Sequence, residues 1–280
     1  MNRAEAIAFA QGLHREALKV ASLETLLTSP AYFGLTNATP VQRALCQVAE
    51  DGRVKRPTPE VIAAFGGKLP TERPAELTIL SGTRTGKSLL IAALALRATQ
   101  RCDVSGLARG EIPRYAIVSL RKDLADVVFG HVKGTILSQE PLRTLLLDEP
   151  TADTVLVRHP SGRPVEVKVV AGARAGATLI ARWLVGAAFD EFTRMIGAEE
   201  GVVNHDDMRS AVLSRMLPGA MVANIGSPWA PFGPAYDQVH ESFGKPSRSR
   251  VVVWVRADLM NPIWWSTVDF PIVNGSVRTT

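Results

Sequence analysis

The residues best suited to chemistry lie in a loop between two largely apolar segments. They are Ser81, Gly82, Thr83, Arg84, Thr85, Gly86, Lys87 and Ser88. Residues 77–80 before the loop are typical of a buried strand, and residues 89–99 after it are rich in alanine and leucine, as in a helix. A strand, a loop and a helix in this order are typical of a P-loop, in which main-chain N–H groups at the helix N-terminus bind phosphate oxygens.

This loop predicts a site for ATP. We expect Lys87 to reach the β- and γ-phosphates, the Ser88 hydroxyl to ligate Mg²⁺, and the main-chain N–H groups of the whole loop to surround the phosphates. One position departs from the pattern G-x-x-x-x-G-K-[ST], because Ser81 stands where the first glycine is usual. The alternative is an ordinary surface turn, which rarely lies between a strand-like segment and an apolar helix.

A P-loop enzyme also needs a carboxylate at the end of another strand, and two acidic pairs could provide it. Asp148-Glu149 follows three leucines, but an alternating pattern at residues 154–169 predicts a hairpin directly after it. Asp190-Glu191 follows the apolar run 183–189, as at the end of a strand that is buried on both faces. We therefore expect Asp190 to hold the metal and Glu191 to act as general base; the alternative is a pair of acidic residues that caps a helix.

Two further polar residues are candidates for nucleotide contacts. Thr39 and Pro40 predict a helix start, and Gln42 in its first turn could pair with the adenine edge or could simply be a polar helix residue. Residues 219–229 predict a strand that ends in small polar residues, where Asn224 and Ser227 could sense the γ-phosphate. Ser227 before Pro228 could equally start a turn.

The composition agrees with a soluble mixed α/β enzyme. The 280 residues are 46% hydrophobic, enough for a substantial core, and no apolar run has the length of a membrane span. Cys46 and Cys102 lack the spacing of a zinc site. The net charge of +5 permits a polyanionic partner without requiring one.

Taken in order, these features resemble the ATPase motor of phage large terminases over residues 30–262. The similarity rests on residues 39–42, 81–88, 115–129, 154–169, 189–192, 226–233 and 258–262. It implies a P-loop NTPase fold of the RecA-like, additional-strand type, with a mainly parallel sheet flanked by helices. It also implies Mg²⁺-dependent ATP hydrolysis that drives double-stranded DNA into a capsid, in the cytoplasm of an infected host cell. The partners implied are a capsid portal, a small terminase subunit and other copies of the chain in a ring, with no membrane.

The resemblance further implies an arginine that acts on the neighbouring subunit's nucleotide. Arg182 and Arg174 compete for this role, and the leucine-arginine-glycine pattern expected there is absent. The spacing before Asp190 favours Arg182. Arg174 lies between Gly172 and Gly176, in a segment of high backbone freedom.

The sequence divides into a helical lead-in at residues 1–70 with the adenine-side motif, an ATPase core at 71–262, and a tail at 263–280. Large terminases usually continue into a nuclease, but the 18 residues after Pro262 hold one acidic residue, Asp269, too few for a two-metal site. We therefore expect no nuclease activity from this chain. Two other functions remain open: a helicase-like remodelling ATPase that borrows a second RecA-like domain, and an assembly protein that binds nucleotide without hydrolysing it.

Overall fold

The computed structural model describes residues 3–171, 175–197, 204–266, 272–273 and 276–277. The helices before and around the P-loop are α1 (Arg3–Val20), α2 (Leu23–Thr28), α3 (Pro40–Asp51), α4 (Pro59–Ala64), α5 (Lys87–Arg101), α6 (Lys122–Ser138) and α7 (Glu140–Arg143). The later helices are α8 (Ala175–Ile180), α9 (His205–Leu213), α10 (Pro234–Ser242), α11 (Ala257–Met260) and α12 (Pro262–Ser266). None of the helices in the described ranges is both long and apolar enough to span a membrane.

The described strands form one large sheet and one small pair. The large sheet contains β1 (Glu76–Leu80), β2 (Arg114–Ser119), β3 (Thr154–Arg158), β4 (Pro164–Ala171), β5 (Leu184–Asp190), β6 (Val222–Gly226) and β7 (Arg250–Trp254). The two-residue strands β8 (Ile272–Val273) and β9 (Ser276–Val277) pair antiparallel with each other.

The strand order of the large sheet is β3-β4-β2-β5-β6-β1-β7. Neighbouring strands are parallel except β3 and β4, which form the predicted hairpin with Leu156 opposite Glu166. Strand β6 lies between β1 and β5, so the strand before the P-loop and the strand before Asp190 are not neighbours. This order is the additional-strand arrangement, and it confirms the predicted α/β fold class.

Side chains on the two faces of the sheet enter two separate hydrophobic clusters, because successive residues of a strand point to opposite faces. Ile79 and Ile117 belong to the cluster that also contains α3 and α5 residues. Leu80, Val118 and Phe189 belong to the other, together with α9 residues. Both faces of β1, β2, β5 and β6 are therefore buried, which explains their nearly continuous apolar sequences.

The N-terminal helices pack against the sheet. Leu18, Leu26, Leu45 and Val61 are at most 1% exposed and share a cluster with α5. The helices before residue 70 therefore share one hydrophobic cluster with the helix that follows the P-loop. The division of the sequence at residue 70 stays a prediction.

Candidate functional site

The P-loop connects the carboxyl end of β1 to the first turn of α5. Its first residue is anchored to β6, because the Ser81 N–H donates to the Gly226 carbonyl at 3.2 Å. The Lys87 ammonium lies within the loop and donates to the Ser81 carbonyl at 2.9 Å and to the carbonyl of Gly82. Gly86 has a φ of 79°, a conformation that favours glycine, and an added Cβ would lie 3.1 Å from Gln42 Nε2.

The acidic pair Asp190-Glu191 stands at the same edge of the sheet, two strand positions from β1. That separation is roughly 10 Å. Asp190 is 7% exposed, and its pKa is raised to about 6 by burial and by the charge of Glu191, with Lys87 acting in the opposite direction. Burial lowers the pKa of Lys87, and the charges of Glu191 and Asp190 oppose that change. The charges of Asp190 and Glu191 thus both act on Lys87, and those of Lys87 and Glu191 both act on Asp190.

Glu191 occupies an unusual backbone conformation directly after β5. Its φ of 52° and ψ of 40° are left-handed, a conformation that disfavours residues other than glycine, and such positions cluster at functional sites. The Glu191 carboxylate accepts a hydrogen bond from the main-chain N–H of Ser227 at 3.3 Å. This bond joins the end of β5 to the segment that follows β6, so the predicted base and the predicted phosphate sensor are neighbours.

The rejected acidic pair lies elsewhere. Asp148 and Glu149 are exposed and lie outside the strands. The adjoining Leu146 bridges to Val157 of β3, the outermost strand, five strand positions from β1. That separation is roughly 24 Å, too far for a side chain to reach the P-loop. This position supports the choice of Asp190 and Glu191.

Gln42 contacts the P-loop directly. Its Oε1 accepts from the Thr39 N–H at 2.9 Å and the Thr39 hydroxyl accepts from the Gln42 N–H at 3.3 Å, which together form a capping box at the start of α3. Its Nε2 donates to the Thr85 carbonyl at 3.1 Å. Gln42 therefore buttresses the loop, a contact that the sequence did not reveal; its adenine contact stays a prediction.

The two candidate phosphate sensors have different positions. Asn224 lies in the middle of β6, fully buried, where it contacts His205 and Thr78 at 3.2 Å each. It is therefore part of a buried polar network and is not at the carboxyl edge. Ser227 lies just beyond the end of β6, next to Glu191, and its role as a phosphate sensor stays a prediction.

Several buried hydroxyl groups at this edge have no hydrogen-bond partner among the described residues. They belong to Ser81, Ser119, Thr193 and Ser227. Buried polar groups normally form hydrogen bonds, so several unpaired hydroxyl groups in one region fit a site for a polar ligand. Ser119 and Thr193 were missed by the sequence analysis, although Ser119 had a detectable signal as a small polar residue at the end of an apolar strand.

The available oxygen ligands fit magnesium held jointly with phosphates. The described residues contain no group of three or more His, Cys, Asp or Glu side chains that could hold a metal. Mg²⁺ is usually held by one or two protein oxygens together with substrate phosphates and water. Ser88, in the first turn of α5, and the buried carboxyl of Asp190 are suitable as that small set.

Arg182 lies at the amino ends of the strands, on the side of the sheet opposite to the P-loop. It precedes the amino end of β5, and a strand of seven residues spans about 23 Å. Its guanidinium lies 3.4 Å from the Glu166 carboxylate and donates to the Ile112 carbonyl at 3.2 Å. Within its own subunit Arg182 therefore cannot reach the P-loop, and its action on a neighbouring subunit stays a prediction. Arg174 lies outside the described residues.

Solved structures of phage large terminases are similar to this chain in fold. The large terminase of a thermophilic bacteriophage matches with a TM-score of 0.50 and 11% identity, over 79% of this chain and 46% of that one. The HK97 bacteriophage large terminase matches with a TM-score of 0.49 and 14% identity, over 77% and 44%. The Thermus phage P74-26 large terminase ATPase domain matches with a TM-score of 0.45 and 12% identity, over 75% and 90%.

This chain thus spans about half the length of the first two of these large terminases. No protein-family model matches the sequence, and no curated protein matches it either. The match to the thermophilic bacteriophage protein shows that the chain shares the fold of a large terminase over this region.

Proposed function

We propose that this chain is the ATPase part of a packaging motor of the large-terminase kind, which hydrolyses ATP to move double-stranded DNA into a viral capsid. The observation that supports this most is the arrangement at one sheet edge. The P-loop follows β1, Asp190-Glu191 follows β5, and β6 lies between them. Both carboxylates act electrostatically on Lys87 there, and Lys87 acts on Asp190. An adjacent cation and acidic pair are suited to hydrolysis, whereas binding alone does not require a base.

In this proposal the P-loop residues 81–88 bind the phosphates. Lys87 and the main-chain N–H groups hold the β- and γ-phosphates, and Ser88 and Asp190 hold Mg²⁺. The metal, when bound, offsets negative charge on the phosphate oxygens. Ser227 senses the γ-phosphate in this proposal, and the hydrogen bond from its N–H to the Glu191 carboxylate supports that role.

Glu191 orients the attacking water and accepts its proton. As the new oxygen–phosphorus bond forms, the bond from the γ-phosphorus to ADP breaks, so the products are ADP and inorganic phosphate. Most of the rate enhancement in such a site comes from positioning and from charge stabilisation. The left-handed backbone of Glu191 and the hydrogen bond from Ser227 hold the carboxylate in place before the water binds.

The motor would work as a ring of copies, with a capsid portal and a small terminase subunit as partners, in the cytoplasm of an infected host cell. An arginine from the neighbouring copy, Arg182 by spacing, would complete each site. An isolated subunit should then be slow, since such an arginine is worth ~10³–10⁵ in rate.

We also propose that these 280 residues have no nuclease activity. Incubation with supercoiled plasmid and Mn²⁺ tests this proposal: we expect no nicking, and reproducible nicking would contradict it.

The test of this proposal measures ATP binding and ATP turnover separately, with and without linear double-stranded DNA. Lys87→Ala should weaken binding and abolish turnover, whereas Glu191→Gln should bind ATP without hydrolysing it. Glu149→Gln is the matched control, because it makes the same chemical change in an exposed carboxylate far from β1. Wild-type turnover that DNA does not stimulate would contradict the motor function, and loss of turnover in Glu149→Gln alone would contradict the choice of acidic pair.

A further inference from the structure

Ser119 and Thr193 carry the two buried hydroxyls at this edge for which the sequence predicted no functional role, and Ser119 is the one that lies on a strand next to β5. It is the last residue of β2 and is 0% exposed. Its Oγ has no hydrogen-bond partner among the described residues. A buried hydroxyl without a partner destabilises a fold, since it loses its bonds to water and gains none in return. Alanine would fill this position without that penalty, so the hydroxyl needs another explanation.

The sheet register places Ser119 beside the predicted metal ligand. Ser119 is the cross-strand partner of Asp190, and β2 and β5 are adjacent and parallel. Ile117 and Ala188, two residues earlier on each strand, both belong to the hydrophobic cluster on the α5 side. Because side chains alternate along a strand, Ser119 and Asp190 also point to that side. The P-loop helix α5 begins with Lys87, whose charge acts on Asp190.

We propose that Ser119 is a positioning residue for Asp190: its hydroxyl rotates to donate a hydrogen bond to the Asp190 carboxylate when that carboxylate binds Mg²⁺ with ATP. A carboxylate that ligates a metal has a free lone pair on its other oxygen, and a donor from the neighbouring strand sets its orientation. Such supporting hydrogen bonds around a metal are worth roughly 10–100-fold in metal affinity. This inference rests on the proposed function, because it requires Asp190 to be a metal ligand.

The experiment measures the dissociation constant of a fluorescent ATP analogue in Mg²⁺ and in EDTA, and the thermal midpoint of the nucleotide-free protein. Wild type should bind more tightly with Mg²⁺. In Ser119→Ala that gain should shrink by about 10-fold, while binding in EDTA stays unchanged. The midpoint of nucleotide-free Ser119→Ala should be equal to that of wild type or higher, because an unpaired buried hydroxyl has been removed.

The control variant is Thr99→Val. It removes a buried hydroxyl that has a hydrogen-bond partner, and it keeps the shape of the side chain. Thr99 is 0% exposed near the far end of α5, and its hydroxyl donates to the Leu96 carbonyl at 2.7 Å. Thr99→Val should lower the thermal midpoint and leave the gain from Mg²⁺ unchanged, the reverse of Ser119→Ala.

The outcomes separate this inference from the proposed function. If wild type gains affinity from Mg²⁺ and Ser119→Ala gains equally, Ser119 does not support Asp190 and the inference alone is wrong. If nucleotide-free Ser119→Ala unfolds at a clearly lower temperature, the hydroxyl has a structural partner and the inference is also wrong. If wild type itself gains nothing from Mg²⁺, the proposed metal site is wrong and the inference falls with it.

Discussion

The Gln42 side chain spans from the first turn of α3 to the P-loop, where its Nε2 donates to the Thr85 carbonyl at 3.1 Å. The same side chain accepts from the Thr39 N–H, so one amide both caps a helix and supports the phosphate-binding loop. Because Gln42 is 5% exposed, both hydrogen bonds are shielded from water and depend on this side chain. The P-loop is thus stabilised by a side chain from α3 as well as by its own hydrogen bonds.

Replacing Gln42 should affect both stability and nucleotide preference. Gln42→Ala should lower the free energy of unfolding by about 1–3 kcal/mol, since it leaves the Thr39 N–H and the Thr85 carbonyl without this partner. We expect it to weaken ATP binding more than GTP binding, because the proposed adenine contact would be lost together with the support of the loop. Chemical denaturation and titration with both nucleotides measure these effects. Equal losses for ATP and GTP would leave Gln42 with the loop-supporting role alone.

Position 191 should accept glycine with a smaller loss of stability than alanine, because its backbone is left-handed. Because its φ is 52°, a residue without Cβ relieves a strain of about 1 kcal/mol. Glu191→Gly should therefore be at least as stable as Glu191→Ala, although helix and strand positions normally show the opposite order. Both variants should lack turnover, since the proposed base is removed. Thermal denaturation compares the two, and a Glu191→Gly protein clearly less stable than Glu191→Ala would contradict the left-handed conformation.

The stability of the nucleotide-free protein should fall as the pH rises through the titration of Asp190. Its pKa in the fold is about 6, above the ordinary value of 3.8, so the folded state holds the proton more tightly than the unfolded chain does. Below about pH 4 this contribution is fully present, and it is lost as the pH rises through about 6. The difference corresponds to at most about 3 kcal/mol.

Asp190→Asn is the matched variant for this pH dependence, because it keeps the shape of the side chain and removes the titration. Urea denaturation of both proteins between about pH 4 and pH 8 isolates the contribution of Asp190 from that of other carboxylates. The variant should become more stable relative to wild type as the pH rises. A constant difference across this range would show that burial does not raise the pKa of Asp190.

We predict that Arg182 acts only on the nucleotide of a neighbouring subunit. Arg182→Ala should still bind ATP but fail to hydrolyse it in assembled motors, and it should lose less than about 1 kcal/mol of stability, because its ion pair with Glu166 is partly exposed. Mixing Arg182→Ala with Glu191→Gln subunits should restore part of the turnover. Some interfaces then combine an intact base with an intact arginine. Normal hydrolysis by Arg182→Ala alone would show that the residue is structural.

The sequence by itself was sufficient for the parts of this protein that local chemistry sets. Phosphate binding by a P-loop depends on consecutive main-chain N–H groups, so residues 81–88 and the segments on either side of them predicted the loop. The apolar run before Asp190 likewise predicted burial, and the structure places Asp190 at 7% exposure. The hairpin of β3 and β4 could be predicted because its turn and its alternating apolar and polar residues lie within one short segment.

The tertiary structure decided which distant residues meet. Strand order depends on how helices pack on both faces of the sheet. The residues of β6 do not themselves indicate that this strand lies between β1 and β5. Gln42 and Thr85 are 43 residues apart in the chain, and their contact arises because α3 packs beside α5. The pairing of Ser119 with Asp190 follows from strand register, which depends on how the buried faces of both strands pack and which no single strand's sequence contains.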